Sequence, residues 1–90
     1  MIIYLIRNKI NGKGYVGQTI QSLQERWINH LSDARRGSSF LIHSAIRKHG
    51  ENAFELSILS ETDNLPDLNL LEIYHIDKQN TKMPAGYNRI

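Results

Sequence analysis

There is no cysteine among the 90 residues. Disulfides and thiolate metal ligands are therefore excluded, and a reducing compartment suits the chain. There is no long apolar run either, since nothing approaches the ~18–20 residues that span a bilayer. The N-terminus lacks the basic-then-apolar pattern of a secretory signal. Internal repeats, low-complexity segments and linkers are missing as well. A large excess of one charge is also missing: the net charge is +2 and the pI near 9.1, mildly basic. That balance tolerates an anionic partner without being a nucleic-acid footprint in itself. What remains is a single domain, residues 1–90. It is large enough to bury roughly 60–65% of its unfolded surface, and it is expected to be soluble and intracellular.

Two short apolar runs open the chain. Ile2-Ile3-Tyr4-Leu5-Ile6 and Gly14-Tyr15-Val16-Gly17-Gln18-Thr19 flank a loop with Asn8, Asn11, Gly12 and Lys13. Asn and Gly accept the turn geometries of a β-hairpin, so these runs read as paired strands. Side chains alternate along a strand, which puts Tyr4 with Ile2 and Ile6, and Tyr15 with Gly17 and Thr19. Core or cross-strand packing is an adequate role for both tyrosines on the hairpin alone.

Residues 22–36 read as a first helix, opened by Ser22 with Glu25 three positions on. Leu23, Trp27, Leu31 and Ala34 form its apolar stripe. Arg26 and His30, one turn apart, fall at the edge of that stripe, with one end packed and the other open. Asp33 is within reach of either as an ordinary surface partner. Residues 39–49 read as a second helix capped by Ser38 or Ser39, with Leu41, Ile42, Ala45 and Ile46 inward. His43 and Arg47 are expected to point outward, to phosphates or to solvent. Arg26, Arg35, Arg36, Arg47 and Lys48 gather the positive charge between residues 26 and 48. Residues 54–60 read as a half-buried strand with Phe54, Leu56 and Ile58 on one side.

Residues 66–79 read as a third helix, capped by Asp63 or Asn64 and apolar nearly all round. It is therefore expected to be the central, most buried helix. Glu72 sits in it between Leu68 and Ile76 at i−4 and i+4. An ionised carboxylate there is costly unless it meets a cation or several donors. Three partners are open: an arginine such as Arg26, a metal ion, or a proton. The expected fold class is α+β: a three-stranded, mostly antiparallel sheet flanked by three helices, in the order β-β-α-α-β-α.

Taken together, Ile2-Ile3-Tyr4 and Tyr15-Val16-Gly17 resemble the paired signature of the GIY-YIG endonuclease family, without the leading glycine. Arg26, His30, Glu72 and Asn88 extend the resemblance over residues 2–88. Lys48-His49-Gly50 followed by Phe54, and Gly86-Tyr87-Asn88, look most like the phage and intron homing branch. The resemblance implies an endonuclease that hydrolyses phosphodiester bonds in DNA. It implies catalytic roles for Tyr4, Tyr15, Arg26, His30 and Glu72, with Glu72 as metal ligand and Gly17 and Asn88 in support. It implies one ion, Mg²⁺ with Mn²⁺ as an alternative, because magnesium takes oxygen ligands and keeps several waters. Arg35, Arg36, His43, Arg47 and Lys48 are the candidates for nucleic-acid contact. Homing enzymes of this kind usually carry a further DNA-binding region, which is expected to be absent from this chain or removed from it. A phage origin implies action in the cytoplasm or host nucleoid. Two other readings stay open: a nucleic-acid-binding module without catalysis, and a protein-interaction domain in which the tyrosines and Glu72 serve structure alone.

Overall fold

β-Branched residues at the N-terminus form β1 (Ile2–Asn8), which turns back as β2 (Gly14–Thr19). The turn closes through the Lys13 carbonyl, which accepts from Asn8 N–H at 2.8 Å, as the Asn8 carbonyl does from Gly12 N–H. In the computed structural model, which describes residues 1–89, there follow α1 (Leu23–Arg35), α2 (Leu41–His49), a single 3₁₀ turn, β3 (Phe54–Glu61) and α3 (Leu65–Gln79). The sheet order is β2-β1-β3 with both pairings antiparallel, so the expected fold class is borne out.

The two faces of β1 seed two halves of the core. Tyr4 and Ile6 pack with Trp27 and Ala34 of α1, with Ile42, Ala45 and Ile46 of α2, and with Phe54. Ile3 and Leu5 on the other face meet Val16 and, from α3, Leu68 and Ile76. The helix starts follow their local chemistry. Ser22 Oγ accepts from Glu25 N–H at 3.2 Å, and Asn64 Oδ1 accepts from Asp67 N–H at 3.1 Å.

Three expectations require correction. α2 begins at Leu41 with Phe40 at its cap position, and neither Ser38 nor Ser39 caps it. Ser38 Oγ is instead engaged by a histidine. α3 is not the most buried helix: Leu70, Ile73 and Tyr74 are exposed, and only Leu68, His75 and Ile76 are buried. It covers its sheet face alone, so only one stripe of it has anything to pack against. Ile58 is about half exposed, because the α1–α2 layer covers β3 only as far as Leu56. Apart from these, the register of β1 against β3 slips between Ile3 and Tyr4, leaving Leu59 as an extra residue. A bulge of this kind increases local twist and re-aims the neighbouring side chain, here Tyr4.

Candidate active site

The hairpin register is what brings the two tyrosines together. Tyr4 lies opposite Gly17, and Tyr15 opposite Ile6, so both rings rise on the α1 side with centroids 6.3 Å apart. Gly17 makes the space for this. A Cβ built there falls 2.4 Å from Tyr4 Oη and 3.0 Å from Tyr15 Cε2. Only glycine leaves room for the phenol to lie over the strand.

α1 supplies the next two groups. His30 is 1% exposed, not half open at the core rim as expected. Its Nε2 is hydrogen-bonded to Tyr4 Oη at 2.8 Å, and its ring meets Tyr15 edge-on at 5.6 Å. Arg26, one turn earlier, is half-buried. Its charge is felt by both phenols and by His30. Asp33 pairs with neither; it pairs with Arg36 at 2.6 Å, the one ion pair among the described residues.

Glu72 arrives from the opposite sheet face. It is half-buried between Leu68 and Ile76, beside Gln18 of β2. It has no ion-pair partner among the described residues, which sets aside an Arg26 salt bridge. Burial pushes its carboxyl above the usual 4.5, and the Gln18 amide partly opposes that. Its charge reaches Tyr4 and Tyr15, so the tyrosines, arginine, histidine and carboxylate share one electrostatic field. Burial raises the Tyr4 hydroxyl well above an ordinary phenol; Tyr15 and Glu72 add to this while Arg26 pulls the other way. Burial likewise raises Tyr15. Burial, then the Arg26 and His43 charges, push His30 down from 6.5 to about 3, so it is neutral at physiological pH.

Asn88 acts on the site through the backbone. Its Oδ1 accepts from Val16 N–H at 2.8 Å and from Thr81 Oγ1–H at 2.7 Å, and its Nδ2–H donates to the Val16 carbonyl at 2.9 Å. That clamp fixes the β2 residue between Tyr15 and Gly17. Gly86 lets the tail close, since a Cβ there meets the Thr81 carbonyl oxygen at 2.4 Å.

The basic candidates divide. Arg35, Arg36, Arg47 and Lys48 are exposed. Arg47 donates to the Ala34 carbonyl at 2.9 Å, and so caps the end of α1 as well as facing solvent. His43 corrects the expectation. It is 2% exposed, with Nε2 hydrogen-bonded to His30 Nδ1 at 2.8 Å and Nδ1 to Ser38 Oγ at 2.7 Å. The α1–α2 contact turned it inward, because His30 offers it a partner there. Sequence reading also missed Thr81 and Gln18. Neither carries a local signal, because their partners Asn88 and Glu72 lie far along the chain.

Fold and cluster together make a small α+β domain in which two tyrosines, a histidine, an arginine and a glutamate share one electrostatic field. The sequence matches the GIY-YIG catalytic domain over residues 1–88, and the chain belongs to that family. It is 39% identical over 89 residues to intron-associated endonuclease 1 of Enterobacteria phage T4, covering 96% of this chain and 35% of that protein. It is 38% identical over 72 residues to an MSV199 domain-containing protein of Invertebrate iridescent virus 6, covering 78% of this chain and 29% of that one. The chain thus spans about a third of the length of these relatives. Its structure is similar to the catalytic domain of homing endonuclease I-TevI, with a TM-score of 0.84 and 35% identity. That match covers 98% of this chain and 96% of the other.

Proposed function

We propose that this domain is a divalent-metal-dependent endonuclease that hydrolyses phosphodiester bonds in DNA, acting inside a cell. The observation that carries the reading is the Tyr4 Oη–His30 Nε2 hydrogen bond, 2.8 Å long, in the field of Arg26 and of a carboxylate with no cation partner. The family and the endonuclease names of its relatives support it.

Each side chain has a task the reaction requires. Arg26 holds phosphoryl oxygens and offsets the charge that grows on them. Tyr4 takes a proton from the attacking water, and neutral His30 has a lone pair at Nε2 to receive the phenol's own proton. Tyr15 orients the water or the phosphate beside them. Glu72 fits a hard divalent ion: it is one carboxylate, half-buried and, among the described residues, without a Lys or Arg partner. Among the described residues, no three His, Cys, Asp or Glu side chains gather into a fuller metal cage. A single carboxylate suits Mg²⁺, which keeps most of its waters, and Mn²⁺ is the natural substitute. Bound there, the ion supplies Lewis acidity and stabilises the leaving 3′ oxygen. Arg35, Arg36, Arg47 and Lys48 give phosphate contacts farther along the DNA. His43, being buried, does not.

Supercoiled plasmid nicking tests the reading. The wild-type domain is expected to nick with Mg²⁺ and to stop on chelation. Arg26→Ala is expected to lower kcat about 10²–10³-fold, the range seen when one transition-state donor is removed. Glu72→Ala is expected to abolish metal-dependent nicking. Equal nicking by Glu72→Ala and wild type overturns the assignment of the ion; binding without any cleavage leaves the non-catalytic module in its place.

A further inference from the structure

The site's chemistry leaves one proton unplaced. In the hydrolytic reading Tyr4 hands its proton to His30, yet His30 is itself buried and has no hydrogen-bonded acidic partner among the described residues to stabilise a cation. The two nitrogens of His30 are both engaged, one by Tyr4 and the other by His43. His43 continues to Ser38 Oγ, which is half-buried in the α1–α2 loop. The three links measure 2.8, 2.8 and 2.7 Å, all within strong hydrogen-bonding range. Phe40 stacks on the His43 ring, its plane 21° from parallel, and holds that ring's orientation beside Ser38.

We propose that Tyr4, His30, His43 and Ser38 form a proton relay that carries the proton of the attacking water from the cleft to solvent at the α1–α2 loop, with His43 and Ser38 as positioning residues. The proposal rests on the hydrolytic reading above. At rest the Tyr4 hydroxyl donates to His30 Nε2, His30 Nδ1–H donates to His43 Nε2, and His43 Nδ1–H donates to Ser38 Oγ. The Phe40 backbone N–H also donates to Ser38 Oγ at 3.3 Å, so the serine's own hydrogen points away, towards water. When water attacks phosphorus, its proton goes to Tyr4 Oη. The phenol proton passes to His30 Nε2, the His30 Nδ1 proton to His43 Nε2, and the His43 Nδ1 proton to Ser38 Oγ. The serine releases its original proton to solvent. Hydroxide has formed at the phosphate, one proton has left, and both imidazoles end neutral in the opposite tautomer. Flow in reverse, with a proton entering at Ser38 and Tyr4 returning one to water in the cleft, restores the starting state after the product leaves.

The neutrality matters because neither ring tolerates a lasting charge. Burial lowers the basicity of both, and the groups facing them largely agree. Arg26 on α1 and Arg47 on α2 oppose a positive imidazole; Asp33 on α1 alone favours it. A relay that shifts tautomers without storing charge is the arrangement these surroundings permit.

Nitrogen-15 spectra of histidine-labelled domain test the chain without any need for activity. Both imidazoles are expected to be neutral, each in one dominant tautomer, at pH 7. Tyr4→Phe removes the inner donor and is expected to shift the His43 ring nitrogens, although residue 43 never touches Tyr4. An unchanged His43 spectrum overturns the relay. Kinetics supply the second arm. His43→Gln keeps a hydrogen bond to His30 but cannot pass a proton on. It is expected to lower kcat roughly 10–100-fold at unchanged KM, a proton-transfer-sized effect. Ser38→Ala, a change in the α1–α2 loop, is expected to lower kcat by a smaller factor, and Ser38→Thr to restore it. Wild-type kcat in both His43→Gln and Ser38→Ala overturns the proposal. Absence of nicking by the wild type strikes the hydrolytic reading instead, while the spectral coupling still reports on the relay's geometry.

Discussion

His30 shows how much one side chain can be asked to do. It is hydrogen-bonded to a phenol and to a second histidine and fills core volume, all while 1% exposed. Its burial sets a pH dependence whose sign is fixed. The folded ring takes up a proton only near pH 3, whereas the unfolded ring does so near 6.5. Between those values the unfolded chain binds the extra proton, so stability rises with pH across the window and is lost as pH falls through it. The loss approaches about 1.4 kcal/mol per pH unit for one such group. His43 adds to it in the same direction, while Glu72, whose carboxyl is raised, opposes it in part. Urea melts at pH 7 and pH 5 are expected to show a clear drop in midpoint at the lower pH. His30→Gln is expected to flatten that dependence while lowering stability at pH 7. An equal drop in the variant and the wild type assigns the acid sensitivity elsewhere.

At the scale of elements, the hairpin and the C-terminal tail act as a unit. Gly17 makes room for Tyr4, and Asn88 pins Val16, its immediate neighbour. Gly17→Ala forces the Tyr4 hydroxyl away from where His30 holds it, and overpacking of this kind costs about 1–3 kcal/mol. Asn88→Ala leaves the buried Val16 amide and Thr81 hydroxyl without their partner, a penalty of about 1–3 kcal/mol for each such group. Both variants are expected to lower the thermal midpoint. Gly17→Ala is expected to lose nicking even at temperatures where it is fully folded; full activity there means Tyr4 has room that the strand geometry denies. These elements also mark the limit of what local pattern reveals. Strand alternation gave the Tyr4 and Tyr15 faces, and the Ser22 and Asn64 caps were readable from residue type and spacing. Glu72 stood out because a charge between Leu68 and Ile76 is anomalous on the apolar stripe of a helix. His43 was misplaced because its inward turn depends on how α2 packs against α1, a contact no single-helix wheel contains. The exposed stripe of α3 was missed for a related reason. Its composition is apolar all round, yet whether each face is covered depends on the layer beyond it, and among the described residues there is none.

For the whole molecule, the net charge of +2 understates the field that a DNA strand would meet under the proposed function. Arg35, Arg36, Arg47 and Lys48 are all exposed near the far end of α1 or on α2. Nine residues of helix, about 13 Å, separate Arg35 from Arg26 in the cluster. A backbone running from the Arg26 cleft along α1 therefore meets cations roughly two phosphates on, with no contact to base edges needed to hold it. Binding of this kind is governed by counterion release. If about 3–4 phosphates are neutralised, a rise from ~50 to ~200 mM salt is expected to weaken binding roughly 40–150-fold. Arg36 is partly occupied by Asp33, and Arg47 by the Ala34 carbonyl, which places the lower figure nearer the mark. The double substitution Arg47→Ala and Lys48→Ala is expected to reduce the log–log salt slope by about 1–2 without altering kcat at saturating DNA. A slope that stays fixed moves the DNA path off α2.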